Sequence, residues 1–147
     1  MPRPFSLQTV LELMQSRSDE ATQHLARLIA SERDATNKLS MLQQYRDEYT
    51  ERFQKAAQDG LRQAAWHNYY EFLNRLDEAI QQQTAEVSQQ QTQTAAGQAN
   101  WQQQRARLQA FDALRERHRA DEARREVRQE QKAQDEFAAR RKDDDHD

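Results

Sequence analysis

Apolar residues in the first part of the chain recur in alternating steps of four and three. They run Leu7, Leu11, Met14, then Ala21, Leu25, Leu28, then Ala35, Leu39, Leu42, then Tyr49, Phe53 and Ala56. Ser18, Glu32 and Arg46 occupy the three steps that are polar. This is a heptad seam, and it predicts a helix over about residues 6–57, with Ser6 as N-cap behind Pro2 and Pro4. Such a helix would be a rod of roughly 75 Å at 1.5 Å per residue. Polar seam positions lower stability but help to fix register, so the helix expects one specific partner strand. The periodicity stops at Gln58, and Gly60 follows; a glycine just past a periodic stretch is the usual left-handed helix terminator. The turn is placed at about 58–63.

A second seam follows: Trp66, Tyr69, Leu73, Leu76, Ile80, Gln83, Val87, Gln90, Thr94, Gly97, Trp101, Gln104, Leu108 and Phe111, with Leu114 beside its end. Residues placed symmetrically about the turn then pair large with large, as in Leu7 with Leu114, Leu11 with Phe111, Met14 with Leu108 and Tyr49 with Phe72. The bulky Trp101 meets the small Ala21. The expected fold is all-α: an antiparallel two-helix coiled-coil hairpin, with a second helix over about 64–140 that is longer and overhangs the first. Residues 1–147 form one elongated domain with a flexible tail at 141–147. A parallel dimer of two copies is the alternative. The Gln-, Thr- and Ala-rich stretch 81–104 resembles a linker in composition, but Gln and Ala are good helix formers and the seam crosses it. Gly97 marks a local softening or a close approach to Leu25.

Composition agrees with long helices. Only two glycines and two prolines interrupt 147 residues, and 35% hydrophobic against 32% charged residues is thin for a globular core. The net charge of -3 gives no global field to recruit nucleic acid or an anionic membrane. Beyond Leu114 the first helix has no residues left to pair. From Arg105 onward 12 Lys/Arg and 12 Asp/Glu alternate finely enough for helical ion pairs along a solvated helix. Either this helix stands alone and frays toward its end, or it becomes ordered on a partner through Val127 and Phe137.

Little in the sequence suggests catalysis. Glycines at 60 and 97 begin no phosphate-binding loop. His24, His67, His118 and His146 show no metal-ligand spacing, and the acidic run Asp143 to Asp147 around His146 reads as a solvated tail. Two helices offer no cavity in which carboxylates could be desolvated. No cofactor, metal or enzymatic activity is expected. Interleaved acids cancel any phosphate-facing stripe, so no nucleic acid is expected either. The absence of cysteine, of a signal peptide and of a membrane span points to a soluble cytoplasmic protein.

A two-helix rod needs only its seam to be apolar, yet Met41, Tyr45, Tyr70, Phe72 and Ala79 lie off it. Lys38, Leu42, Tyr45 and Tyr49 on the first helix, and Phe72, Leu76, Ala79 and Gln83 on the second, step by four, three, four and face one another. They form a second stripe near the turn. Either the rings widen a core that only two helices shelter, or the stripe docks another protein, since aromatic residues are enriched in interface hot spots.

The segment Leu39-x-x-Leu42-x-x-Tyr45-x-x-Glu48-Tyr49, followed by Trp66-x-Asn68-Tyr69-x-x-Phe72-x-x-x-Leu76-x-x-Ala79-Ile80, resembles the flagellar FliJ family of type III export proteins. Leu7, Leu11, Trp101, Leu108-Gln109-Ala110 and Asp135-Glu136-Phe137-Ala138 extend the likeness along the chain. The resemblance implies a cytoplasmic coiled coil, peripheral to the inner membrane through its partners and not itself an ATPase. It would insert into the hexameric ring of the export ATPase FliI, promote its assembly and activity, contact the export gate protein FlhA, and escort or recycle export chaperones. By the same likeness Leu42, Tyr45, Tyr49, Phe72, Leu76 and Ala79 would contact the gate, while Lys38 and Gln83 depart from the expected Gln and His. The competing function is a generic coiled-coil scaffold or chaperone-like holder without an ATPase partner.

Overall fold

The computed structural model describes residues 3–145. Among them are two helices, α1 (Gln8–Gln58) and α2 (Gln63–Asp144), and no strand. They pack as an antiparallel hairpin. The chain reverses where the sequence loses its seam. Asp59 N donates to Ala56 O and Gly60 N to Ala57 O, tightening the last turn of α1, and Gly60 then takes φ 88°. Nothing lies within 4 Å of where a Cβ would sit on Gly60. Glycine is needed there for its left-handed backbone and not for space. The helix resumes as Trp66 N donates to Arg62 O.

The described residues divide into two units. In the unit Ala21–Trp101, Ala21, Ala35, Tyr69, Leu76 and Val87 form the core. No large side chain is fully buried, because each can be covered from one side only by the partner helix. The polar seam positions are built into this core. Gln83 is 8% exposed and donates from Nε2 to the Ala35 carbonyl at 2.9 Å; Thr94 Oγ1 donates to Gln90 O, with Leu28 O at 3.4 Å. Trp101 reaches Thr22 Oγ1 through its indole N–H at 2.9 Å.

The sequence places Gly97 near Leu25. In the structure the closer neighbour is Leu28, whose Cδ1 would overlap a Cβ at this position, while Leu25 Cδ1 stands 3.8 Å away. The close approach of the helices occurs, one turn further along α1, and α2 runs through Gly97 without a break. Arg46 pairs with Asp77 across the helices, Nε to Oδ1 at 2.6 Å. That hydrogen bond, and then the carboxylate's charge, hold the Arg46 guanidinium above its ordinary pKa. A raised pKa contributes stability that is fully present below the ordinary arginine range and is lost only as pH climbs through the raised value. The pair is therefore silent across neutral pH.

Gln83 supports a direct test. Its amide bonds a carbonyl that already serves the α1 ladder, so Gln83→Met should change unfolding free energy by less than about 1 kcal/mol, the lost hydrogen bond being offset by apolar burial. Gln83→Ala, which also leaves a gap, should cost about 1–2 kcal/mol in urea unfolding. A Met variant as damaging as the Ala variant would show that the amide does more than fix register.

The other unit joins the two ends of the chain, through Glu20 and from Gln102. Leu11, Met14 and Ser18 are buried in it. Two expectations are corrected here. Helix α1 begins two residues later than Ser6, after a turn in which Gln8 N donates to Phe5 O. Leu11 N makes the first intrahelical bond, to Leu7 O, so Leu7 and not Ser6 holds the cap position. Nor does pairing end at Leu114, which is 43% exposed. The steps of three and four continue from Phe111 through Arg115, His118 and Glu122, all half-buried. The nonhelical residues 3–5 lie against His118 and Glu122. A search for apolar seam residues stops too early when the seam continues in polar ones. From residue 123 to residue 145 every side chain is exposed, Val127 and Phe137 included. Helix α2 reaches Asp144, so residues 141–144 are helical, while His146 and Asp147 of the expected tail, like Pro2, lie outside the described residues.

Candidate partner-binding surface

Near the turn, side chains from both helices build a run of rings. Phe53 stacks on Tyr69, with centroids 3.5 Å apart and planes 11° apart, and Trp66 meets Phe53 edge-on at 4.8 Å. Tyr69 continues to Tyr49 (5.5 Å, 15°), and Tyr49 to Phe72 (4.4 Å, 53°). The inner ring, Tyr69, is 7% exposed, whereas Phe72 is 43% and Tyr45 52% exposed. From the core ring Tyr69 through Tyr49 to exposed Phe72 the contacts form one continuous aromatic network, which does not include Tyr45. Its buried members fix the pose of its exposed ones.

The six residues expected at the gate contact fall in two adjacent grooves of the same unit. Tyr45, Tyr49, Phe72 and Leu76 line a cleft of about 220 Å³, rimmed by Glu48 and Arg52. Leu42 and Ala79 line its neighbour with Lys38 and Gln83. Their accessibility differs. Tyr45 and Phe72 project; Leu42, Tyr49 and Ala79 are half-buried; Leu76 is a core residue at 9%. Gln83 forms part of the floor, its amide committed to Ala35 O. The stripe is mixed: Leu76 and Gln83 belong to the core, and Tyr45 and Phe72 present rings to water.

Near the turn, Trp66 and Tyr70 are the exposed rings that the stripe leaves out, at 39% and 53%, with centroids 6.2 Å apart. Tyr70 is two residues from Phe72, which on a helix puts it on the opposite flank. The signal was present in the sequence, since Tyr70 lies off the seam, but no facing apolar residue on the first helix completes a stripe there.

Among the described residues no group of three or more His, Cys, Asp or Glu could hold a metal ion, and no helix is long and apolar enough to cross a membrane. His67 sits 3.9 Å from Glu71 on the surface, His24 lines a shallow groove with Leu28 and Gly97, and His118 packs against Phe5. Along the second half of α2 the ion pairs are mostly three residues apart, as in Arg125 with Glu122 at 3.3 Å and Arg119 with Glu116 at 3.3 Å.

The family profile described as "Flagellar FliJ protein" matches residues 3–143. The chain is 30% identical over 140 residues to the flagellar FliJ protein of Salmonella typhi, with 95% of each chain covered. It is 29% identical over 135 residues to the flagellar FliJ protein of Escherichia coli (strain K12), with 92% of each covered.

Proposed function

Because the chain belongs to the flagellar FliJ family, and so is a protein of flagellar export, we propose that it serves as the adaptor between the export ATPase ring and the export gate, and that it escorts export chaperones. The observation that carries this reading is the bare stretch of α2. From residue 123 to Asp144 the helix continues with no protein packed against it, every side chain exposed and basic and acidic residues interleaved. A lone helix of this kind is marginal in water unless something surrounds it. The opening of a ring of ATPase subunits would do so.

Inside a six-fold ring a single asymmetric helix meets each subunit differently. It can favour different conformations in different subunits through those differential contacts. Many weak polar contacts hold it without immobilising it. The aromatic cleft of Tyr45 and Phe72, which belongs to the other unit, is the surface assigned to the gate. It lies far along the sequence from the bare stretch, so two partners can be engaged without competing for one surface. The protein acts in this reading by binding, with the chemistry performed by the ATPase.

Adding the intact chain to purified export ATPase should raise ATP hydrolysis and promote ring assembly, read by phosphate release and by co-sedimentation. A chain shortened after Glu122 should keep its helical hairpin and lose the stimulation. Neither stimulation nor co-sedimentation by the intact chain would turn the choice to a scaffold or holder without an ATPase partner.

A further inference from the structure

The N-terminal residues cross to α2 before α1 begins. Arg3 N donates to Glu122 Oε2 at 3.2 Å. The Arg3 carbonyl lies 2.8 Å from His118 Nε2, which therefore carries the proton and donates. Phe5 sets its ring 5.6 Å from the His118 imidazole at 47°. One residue's N–H and C=O are thus held by two side chains four apart on one face of α2, with a ring contact two residues further on. Pro4 biases Arg3 toward extended backbone, which keeps these two groups out of the α1 ladder and free to face α2.

We propose that residues 3–5 form a detachable strap whose release lengthens the bare stretch of α2 by about one and a half turns, back to His118. Both positions of the strap are chemically complete. The first intrahelical bond of α1 runs from Leu11 N to Leu7 O, so release leaves the α1 ladder whole and breaks only the turn bond from Gln8 N to Phe5 O. The stripe that release uncovers is His118 and Glu122, both compatible with water. Glu122 keeps its bond from Arg125. The apolar anchor is the single ring of Phe5, itself only half-buried. A segment held by so few, partly exposed contacts belongs to the low-stability end of a fold.

The strap is a property of the chain alone, and its test involves neither the ATPase nor the gate. In limited trypsinolysis followed by mass spectrometry, the intact chain should be cut more slowly at Arg119–Ala120, beneath the strap, than at Arg128–Gln129 beyond it. Phe5→Ala, and separately His118→Ala, should raise the rate at Arg119 relative to Arg128 roughly tenfold, although alanine at 118 is the better helix former. Phe5→Tyr, which keeps the ring, should behave as the intact chain. Equal cutting at the two sites in the intact chain would overturn the strap, as would an unchanged ratio in both alanine variants. A parallel rise at Arg27 and Arg33 would also overturn it, because residues 3–5 would then be holding the whole fold and not one stretch of α2.

Discussion

Replacing Tyr69 by alanine is expected to lower the unfolding free energy by about 3 kcal/mol, the low end of the range for deleting a buried aromatic side chain. The low end applies because a two-helix core lies close to water and a void there is partly filled by solvent. Tyr69 is 7% exposed and touches Phe53 face to face, Tyr49 in a stack and Tyr70 edge-on. No other described ring makes as many aromatic contacts. Tyr69→Phe should cost less than about 1 kcal/mol, since the stacking surface survives. Urea unfolding followed by circular dichroism distinguishes the two. A loss below about 1 kcal/mol for Tyr69→Ala would mean that the aromatic run is a surface ornament and that the aliphatic seam alone holds this unit. Phe53 and Tyr69 share one stack, so the Phe53→Ala/Tyr69→Ala double variant should lose less than the sum of the single variants.

The outermost rings should behave in the opposite way. Tyr45→Ala combined with Phe72→Ala is expected to weaken binding to the export gate protein roughly 100-fold, equivalent to about 2.7 kcal/mol, as befits two exposed aromatic anchors at the centre of an interface. Stability should fall by only about 1 kcal/mol, most of it from the Phe72 contact with Tyr49 at 4.4 Å. Titration calorimetry with the purified gate domain gives the first quantity and urea unfolding the second. Unchanged affinity would remove the cleft from the gate interface. A collapse of helicity would place Phe72 in the core with Leu76. Trp66→Ala is the control for the opposite flank, and gate binding should not respond to it.

The helices, their antiparallel pairing and the turn were legible because each rests on a local rule applied many times over. A seam repeated through Leu7 to Ala56 tolerates Ser18, Glu32 and Arg46, and a glycine at the end of it has few other uses. The stripe was legible as a set of positions but not as a set of roles. Spacing puts Leu76 and Phe72 in one stripe, yet the packing of the two helices decides which of them is covered. The end of the pairing was missed for a chemical reason: Arg115, His118 and Glu122 continue the seam without being apolar, and the partner of the last two is a nonhelical segment that no periodicity announces. Gly97 was half-legible. A glycine on the seam signals close approach, but whether Leu25 or Leu28 fills the space depends on side-chain direction along α1.

The positive φ at Gly60 also bears on how the chain comes to be folded. It brings Phe53 and Trp66 together across a short loop, so the first cross-helix contacts close at small entropic cost. Once they hold, Arg46 and Asp77, 31 residues apart in sequence, are brought near by a loop that is already closed. Gln83 and Ala35 follow at a separation of 48, then Trp101 and Thr22 at 79. The clasp on Arg3, by His118 across 115 residues and by Glu122 across 119, closes the longest loops of all and depends on the pairings before it. During synthesis α1 has no partner helix until Trp66 and Tyr69 have been added, so zipping is expected to start from the turn. Residues 3–5 are therefore made long before the stretch of α2 that holds them and are fastened last.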